Sequence, residues 1–273
     1  MTHAYLGFGT APILGKHGRR VSRDAILCAL AAGIRHFDTA RSYGWGEAEG
    51  LLGETIAGTA RDQLILVSKC GYMPVPRTRL LGLAKAVARN VVRRLPMLGG
   101  LARKAAGSAA LRPVATYDLP VLEASLRTSL AELRTDYLDV LILHNFNIQT
   151  AGVEPVVAWM RNLKSAGTIR DYGFSVGESF LESLNWLEAK GLLKGAVVQA
   201  PLSAGMLAVP ERYRDVEVIV HSPFTCADPQ LRRLSDDLSV LADTLEARFR
   251  CRAILCSMFS PEHIRANAAA MTR

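Results

Sequence analysis

Eight short apolar runs punctuate this chain, and helical stretches separate most of them. The runs are Ala4–Gly9, Ile34–Phe37, Leu64–Ser68, Leu138–Leu143, Tyr172–Ser175, Ala196–Gln199, Val218–Val220 and Ala253–Leu255. The helical stretches are Arg23–Ala32, Glu47–Ile56, Val121–Leu133, Glu154–Ala166, Glu178–Ala189, Leu231–Phe249 and Pro261–Ala269, with Ser22 and Ser260 read as the caps that open the first and last. Strands alternating with helices build a parallel sheet, and eight in succession close it into a barrel. The spacing agrees. Asp38 and Lys69 are 31 positions apart, His144 and Ser175 again 31, and a barrel of ~250 residues allots about 31 to each unit. From Lys69 to His144 the interval is 75, too long for one unit. Since Val121–Leu133 already supplies that crossover, residues from about 72 to 117 read as an insertion. The expectation is an α/β protein: a (β/α)8 TIM barrel, one domain over residues 1–273, with a basic helical insertion after the third strand. An apolar fraction of 49% is ample for its core.

The net charge of +8 is concentrated in one place. No Asp or Glu occurs from Gln63 to Tyr117, whereas Lys69, Arg77, Arg79, Lys85, Arg89, Arg93, Arg94, Arg103, Lys104 and Arg112 all do. The rest of the chain is near neutral, which argues against general nucleic-acid binding. Within the insertion Leu80, Leu83, Val87, Val91 and Leu95 recur at helical spacing, with Lys85, Arg89 and Arg93 on another face. Three readings stay open: a solvated helix packed on the barrel rim, a lid that attracts an anionic substrate, and a surface for acidic membranes.

No apolar run approaches the ~18 residues of a membrane span, and the first residues lack a charged-then-apolar signal pattern. A cytoplasmic location is expected. The five cysteines show neither a C-x-x-C pair nor metal-ligand spacing, so no metal site is expected. They read as reduced small hydrophobes, with Cys70, next to Lys69, as the one candidate for redox sensitivity.

Polar residues terminate several of the runs. Asp38 ends the second, with Tyr43 shortly after; Lys69, His144 and Ser175 end later ones. Taken singly, an Asp is a helix cap, a Tyr is amphipathic packing, a Lys lies on the surface and a His is a satisfied core imidazole. Collected at the carboxyl ends of barrel strands, where such enzymes do their chemistry, they form a proton-transfer set.

The run HFDTARSYGWGEAEGLLGE, residues 36 to 54, resembles the signature of the aldo-keto reductase family, above all in DTA-x-x-Y-G before an acidic residue that opens a helix. LVSKCG and LILHN follow in order, then IRDYGFSV, AVVQAP, VHSPF and SPEHIRAN, so the likeness runs through nearly the whole chain, more weakly at 72–117 and 224–256. The resemblance implies a catalytic tetrad of Asp38, Tyr43, Lys69 and His144. Tyrosine, with an ordinary pKa of about 10, donates a proton poorly near neutrality; a neighbouring ammonium lowers that value. Lys69 is expected to do this, Asp38 to anchor Lys69, and His144 to orient a carbonyl oxygen.

The resemblance also implies a nicotinamide dinucleotide, NADP by family habit with NAD left open. Gly7 and Gly9 lead to Pro12 rather than into a G-x-G-x-x-G turn, so a Rossmann site is not expected. Ser175 and Gln199 match residues that hold the carboxamide, but Val176 stands where the family has Asn. Ser222, Pro223 and Phe224 match the pyrophosphate stretch, and Asn267 matches an adenine contact. Ser257 and His263 fall where NADP-preferring members carry cations, with Arg265 nearby as a substitute. The loop after the seventh strand is short, and little chain remains beyond the last helix to wall the pocket.

The sequence therefore points to an NAD(P)H-dependent oxidoreductase that interconverts a small carbonyl compound and an alcohol, the substrate being anionic if the insertion faces the pocket. Its rivals are a catalytically weak cofactor-binding sensor or regulatory protein on the same barrel, and a barrel enzyme without the dinucleotide acting on a phosphorylated substrate. Oligomeric state is not legible.

Overall fold

The computed structural model describes residues 5–15, 17–74, 114–149, 152–177 and 179–271. Eight parallel strands close a barrel: β1 (Tyr5–Gly9), β2 (His36–Asp38), β3 (Ile65–Cys70), β6 (Leu138–Leu143), β7 (Ile169–Ser175), β8 (Val197–Pro201), β9 (Glu217–His221) and β10 (Arg250–Cys256), with β10 pairing back onto β1. All eight carboxyl ends therefore open on one face. Two short strands, β4 (Tyr72–Met73) and β5 (Val114–Ala115), pair antiparallel outside the barrel. They flank most of the stretch expected as an insertion, whose expected helix lies outside the described residues.

The strands read as near-continuous apolar runs because both faces are buried. Val67, Val140, Ile142, Val197, Ile219, Ala253 and Leu255 fill the barrel interior, while Phe8, Phe37, Leu66, Leu141, Leu143, Phe174, Val198 and Val220 belong to the larger core under the helices. The helix Ala48–Ile56 packs so closely on Leu119–Leu133 that a Cβ at Gly53 would lie 2.2 Å from the Glu132 carbonyl oxygen.

Two local expectations are corrected. Ser22 is not a cap: the first helix begins at Arg19 behind Gly18, and Ser22 is buried within it. Ser260, as expected, occupies the N-cap position before Pro261 and the last helix, in extended conformation and without a side-chain cap bond. The stretch Leu231–Phe249 is two helices, Pro229–Leu234 and Leu238–Glu246, because the Asp228 and Asp237 carboxylates each accept backbone N–H groups and start a helix of their own.

His36 sits within the barrel wall, 2% exposed, and neither ring nitrogen has a partner among the described residues. Burial lowers its pKa from 6.5 to about 4, against the opposing pull of Asp38. The unfolded chain takes up a proton below pH 6.5 that the folded chain refuses until about pH 4. His36 thus imposes no proton-linked cost above pH 6.5, and stability drains away as pH falls, by about 2 kcal/mol at pH 5 and about 3 kcal/mol by pH 4. In urea unfolding at pH 7 and pH 5, His36→Leu should lose less stability across the interval than wild type, by about that first amount. Equal losses would contradict this account.

Candidate active site

Every barrel strand delivers something to the open face. The cleft there has a volume of about 430 Å³ and is lined by Gly9, Asp38, Tyr43, His144, Asn145, Ser175, Gln199, His221 to Thr225 and Leu255 to Ser257. At its floor lies a buried ion pair. Lys69 Nζ donates to Asp38 Oδ1 and, at 3.0 Å, to the Thr39 carbonyl oxygen. From across the barrel Gln199 Nε2 donates to Asp38 Oδ2 at 2.7 Å, so both carboxylate oxygens are held.

Tyr43 is carried by a tight 3-10 turn, Tyr43–Gly46, entered by a bond from its own N–H to the Ala40 carbonyl oxygen at 3.0 Å. Gly44 and Trp45 adopt left-handed backbone angles (φ 55° and 62°) inside that turn. The Lys69 ammonium lies 4.9 Å from the centre of the Tyr43 ring. His144, one residue past β6, meets that ring edge-on at 5.6 Å, and the Tyr72 ring lies tilted at 5.4 Å from that of His144. The four residues of the expected tetrad thus converge on one spot.

Burial dominates the proton equilibria. It raises the Tyr43 phenol above its ordinary value; Lys69 pulls downward but loses to desolvation, so the net direction is opposite to the sequence-based expectation. Burial also opposes the charge on Lys69, yet Asp38 and Tyr43 together outweigh it and the ammonium is retained. His144 is lowered to about 3 by burial and then by Lys69, and His221 to about 4, again chiefly by burial. Near neutrality the cleft therefore holds one ion pair, a protonated phenol and two neutral imidazoles. Burial pushes the Cys70 thiol up to about 12, which removes the thiolate that redox sensitivity would require.

The expected cofactor residues divide into two groups. Ser175, Gln199, Ser222, Pro223, Phe224 and Ser257 line the cleft. Ser222 has a left-handed backbone (φ 59°) and opens the turn Pro223–Thr225, which Ser235 Oγ ties down through the Pro223 carbonyl oxygen at 3.0 Å. Ser257 Oγ donates to the Gly9 carbonyl oxygen at 2.9 Å. His263 is exposed on the last helix, and Asn267 Nδ2 rests on Met258 Sδ at 3.2 Å; neither lines the cleft. Val176 is buried in the core, offering only its backbone N–H, which bonds the Gln199 carbonyl oxygen at 2.8 Å. Sequence reasoning passed over His221, whose ring lines the cleft with Nδ1 2.9 Å from Ser222 Oγ; its signal was its place at a strand end before Ser-Pro. Among the described residues no group of three His, Cys, Asp or Glu is arranged to hold a metal ion, and no helix is long and apolar enough to cross a membrane.

The model of the aldo/keto reductase family matches residues 5–225. The chain belongs to that family. Among its relatives, pyridoxal 4-dehydrogenase of Microbacterium luteolum is 25% identical over 80% of this chain, and the NADH-specific methylglyoxal reductase of Escherichia coli is 25% identical over 63%. The chain spans 63% and 48% of those two proteins. A crystal structure of a Klebsiella pneumoniae aldo-keto reductase in complex with NADPH superposes with a TM-score of 0.60 at 22% identity, covering 99% of this chain and 90% of its own; at that identity it supports the fold alone.

Proposed function

We propose that this aldo-keto reductase is a nicotinamide-dependent oxidoreductase that interconverts an aldehyde or ketone and an alcohol, working as a single barrel domain in the cytoplasm. The observation that carries the reading is the buried Lys69–Asp38 pair beneath the Tyr43 ring, with the neutral His144 imidazole at that ring's edge. A phenol that burial keeps protonated holds a proton for a carbonyl oxygen, and the ammonium beside it eases that proton's departure as charge develops. Asp38 fixes the ammonium, Gln199 fixes Asp38, and His144, being neutral, donates a hydrogen bond to the same oxygen without competing as an acid.

The cleft fits the nicotinamide end of a dinucleotide: hydroxyls of Ser175, Ser222 and Ser257 and the Gln199 amide face one space, and the missing side chain of Gly9 keeps it open, since a Cβ there would meet Ser257 Oγ at 3.0 Å. When bound, the cofactor supplies the hydride. Ser175 and Gln199 would hold its carboxamide, Ser222, Pro223, Phe224 and Ser257 its phosphates, and His263 and Asn267 its adenosine end. NADP is the preferred form, in keeping with the NADPH held by the Klebsiella relative, and NAD remains open because the Escherichia coli relative is NADH-specific. Titration of the protein with NADPH and NADH, followed by absorbance on a carbonyl panel, tests the proposal; no binding of either nucleotide would overturn it.

Val176 favours a second reading. With an apolar side chain where a carboxamide partner is expected, the same barrel would serve as a weakly catalytic cofactor sensor. Tight nucleotide binding without turnover on any carbonyl would decide for it.

A further inference from the structure

The turn that carries Tyr43 is clamped from behind the barrel wall. Arg41 and Glu49 are buried, the latter completely. Arg41 Nη1 donates to Glu49 Oε2 at 2.5 Å and to Glu132 Oε2 at 2.8 Å, while Nη2 donates to Glu132 Oε1 at 3.2 Å and to the Gly46 carbonyl oxygen at 3.1 Å. The other oxygen of Glu49 accepts from Ser68 Oγ at 2.6 Å. One guanidinium thus joins four pieces of chain: the last residue of the Tyr43 turn, the helix Ala48–Ile56, the helix Leu119–Leu133, and, through Glu49, the strand β3. Ser68 immediately precedes Lys69 and faces the opposite side of the wall. The network therefore spans the two segments whose mutual placement sets the phenol against the ammonium. Gly53 makes this reach feasible by letting the two helices touch.

We infer that Arg41 is a positioning residue for the proton donor: through Gly46, Glu49 and Ser68 it locks the Tyr43 turn in register with Lys69. This role rests on Tyr43 being the proton donor, as proposed above. An ion pair taken out of water contributes little net stability compared with apolar packing, whereas its directional bonds fix geometry. The turn also needs fixing from outside, because it carries a left-handed Trp45, a backbone state that bulky side chains rarely hold unaided. Lysine retains the charge but lacks the planar fork, so it cannot serve Glu49, Glu132 and the Gly46 carbonyl together.

The test compares Arg41→Lys and Ser68→Ala with wild type in NADPH-dependent reduction of an accepted carbonyl, with cofactor affinity and thermal midpoint measured in parallel. Arg41→Lys is expected to lower kcat by about tenfold to a hundredfold, the scale of a small misplacement of a reacting group, with KM and cofactor dissociation constant unchanged. Ser68→Ala should lower kcat in the same way by a smaller factor. Placed on Tyr43→Phe, Arg41→Lys should cost nothing further, since the group it positions is gone. A wild-type kcat in Arg41→Lys, a loss that multiplies in full onto Tyr43→Phe, or a loss carried by KM or cofactor affinity would overturn the inference. Should Arg41→Lys fail to fold, an undiminished kcat in Ser68→Ala overturns it instead. Full turnover in Tyr43→Phe itself would overturn the proposed function, and this inference with it.

Discussion

Tyr43→Phe should reduce turnover by about 10² to 10⁴ while leaving cofactor affinity intact, the range that a positioned general acid contributes. The substitution is unusually clean at this site. Phenylalanine keeps the ring that meets His144 edge-on and lies near the Lys69 ammonium, so the packing contacts survive and only the hydroxyl is lost. The hydroxyl's hydrogen bond is to Lys69, which keeps Asp38 and the Thr39 carbonyl as partners, while the turn itself is held by its backbone and by Arg41. The loss corresponds to about 3 to 5 kcal/mol of barrier, and the thermal midpoint should barely move. Steady-state rates and nucleotide fluorescence titration on the same preparation would check both halves. Undiminished turnover would remove Tyr43 from the chemistry and leave the buried ion pair without a catalytic purpose.

The barrel was legible because its determinants are local and periodic. Apolar runs buried on both faces are hard to hide, and each of the eight expected strands overlaps an observed one. Boundaries failed where a side chain competes for the backbone: Asp237 accepts two N–H groups and splits what apolar periodicity reads as one helix. The convergence of Asp38, Tyr43, Lys69 and His144 could be anticipated from strand ends alone, since a closed parallel barrel brings all of those ends to one rim. What the sequence did not carry was the balance of energies. Lys69 next to Tyr43 suggests a lowered phenol, but the degree of burial that reverses the direction is a property of the assembled cleft. The bond between Gln199 and Asp38 joins residues 161 positions apart, and the Arg41–Glu132 pair 91; neither leaves a local pattern.

Removing the ammonium should be the most damaging single change in the molecule. Lys69 and Asp38 are 3% and 4% exposed, and among the described residues Lys69→Met leaves the Asp38 carboxylate facing only the Gln199 amide. Breaking a buried pair from one side costs about 3–5 kcal/mol, because the surviving charge keeps its desolvation without its partner. Catalysis should fall with it, since nothing then eases the proton from Tyr43. The two effects separate in the double variant Lys69→Met with Asp38→Leu. Replacing both partners by apolar groups is often neutral for stability, so the double variant should regain most of the urea midpoint lost by Lys69→Met. Turnover should not return, because the charge that tunes the phenol is still absent. If activity recovered along with stability, the pair would be a structural strut and the assignment of Lys69 to proton transfer would be untenable. If stability did not recover, the unpaired Asp38 carboxylate would not be the source of the loss in Lys69→Met, and this account of the buried pair would fail.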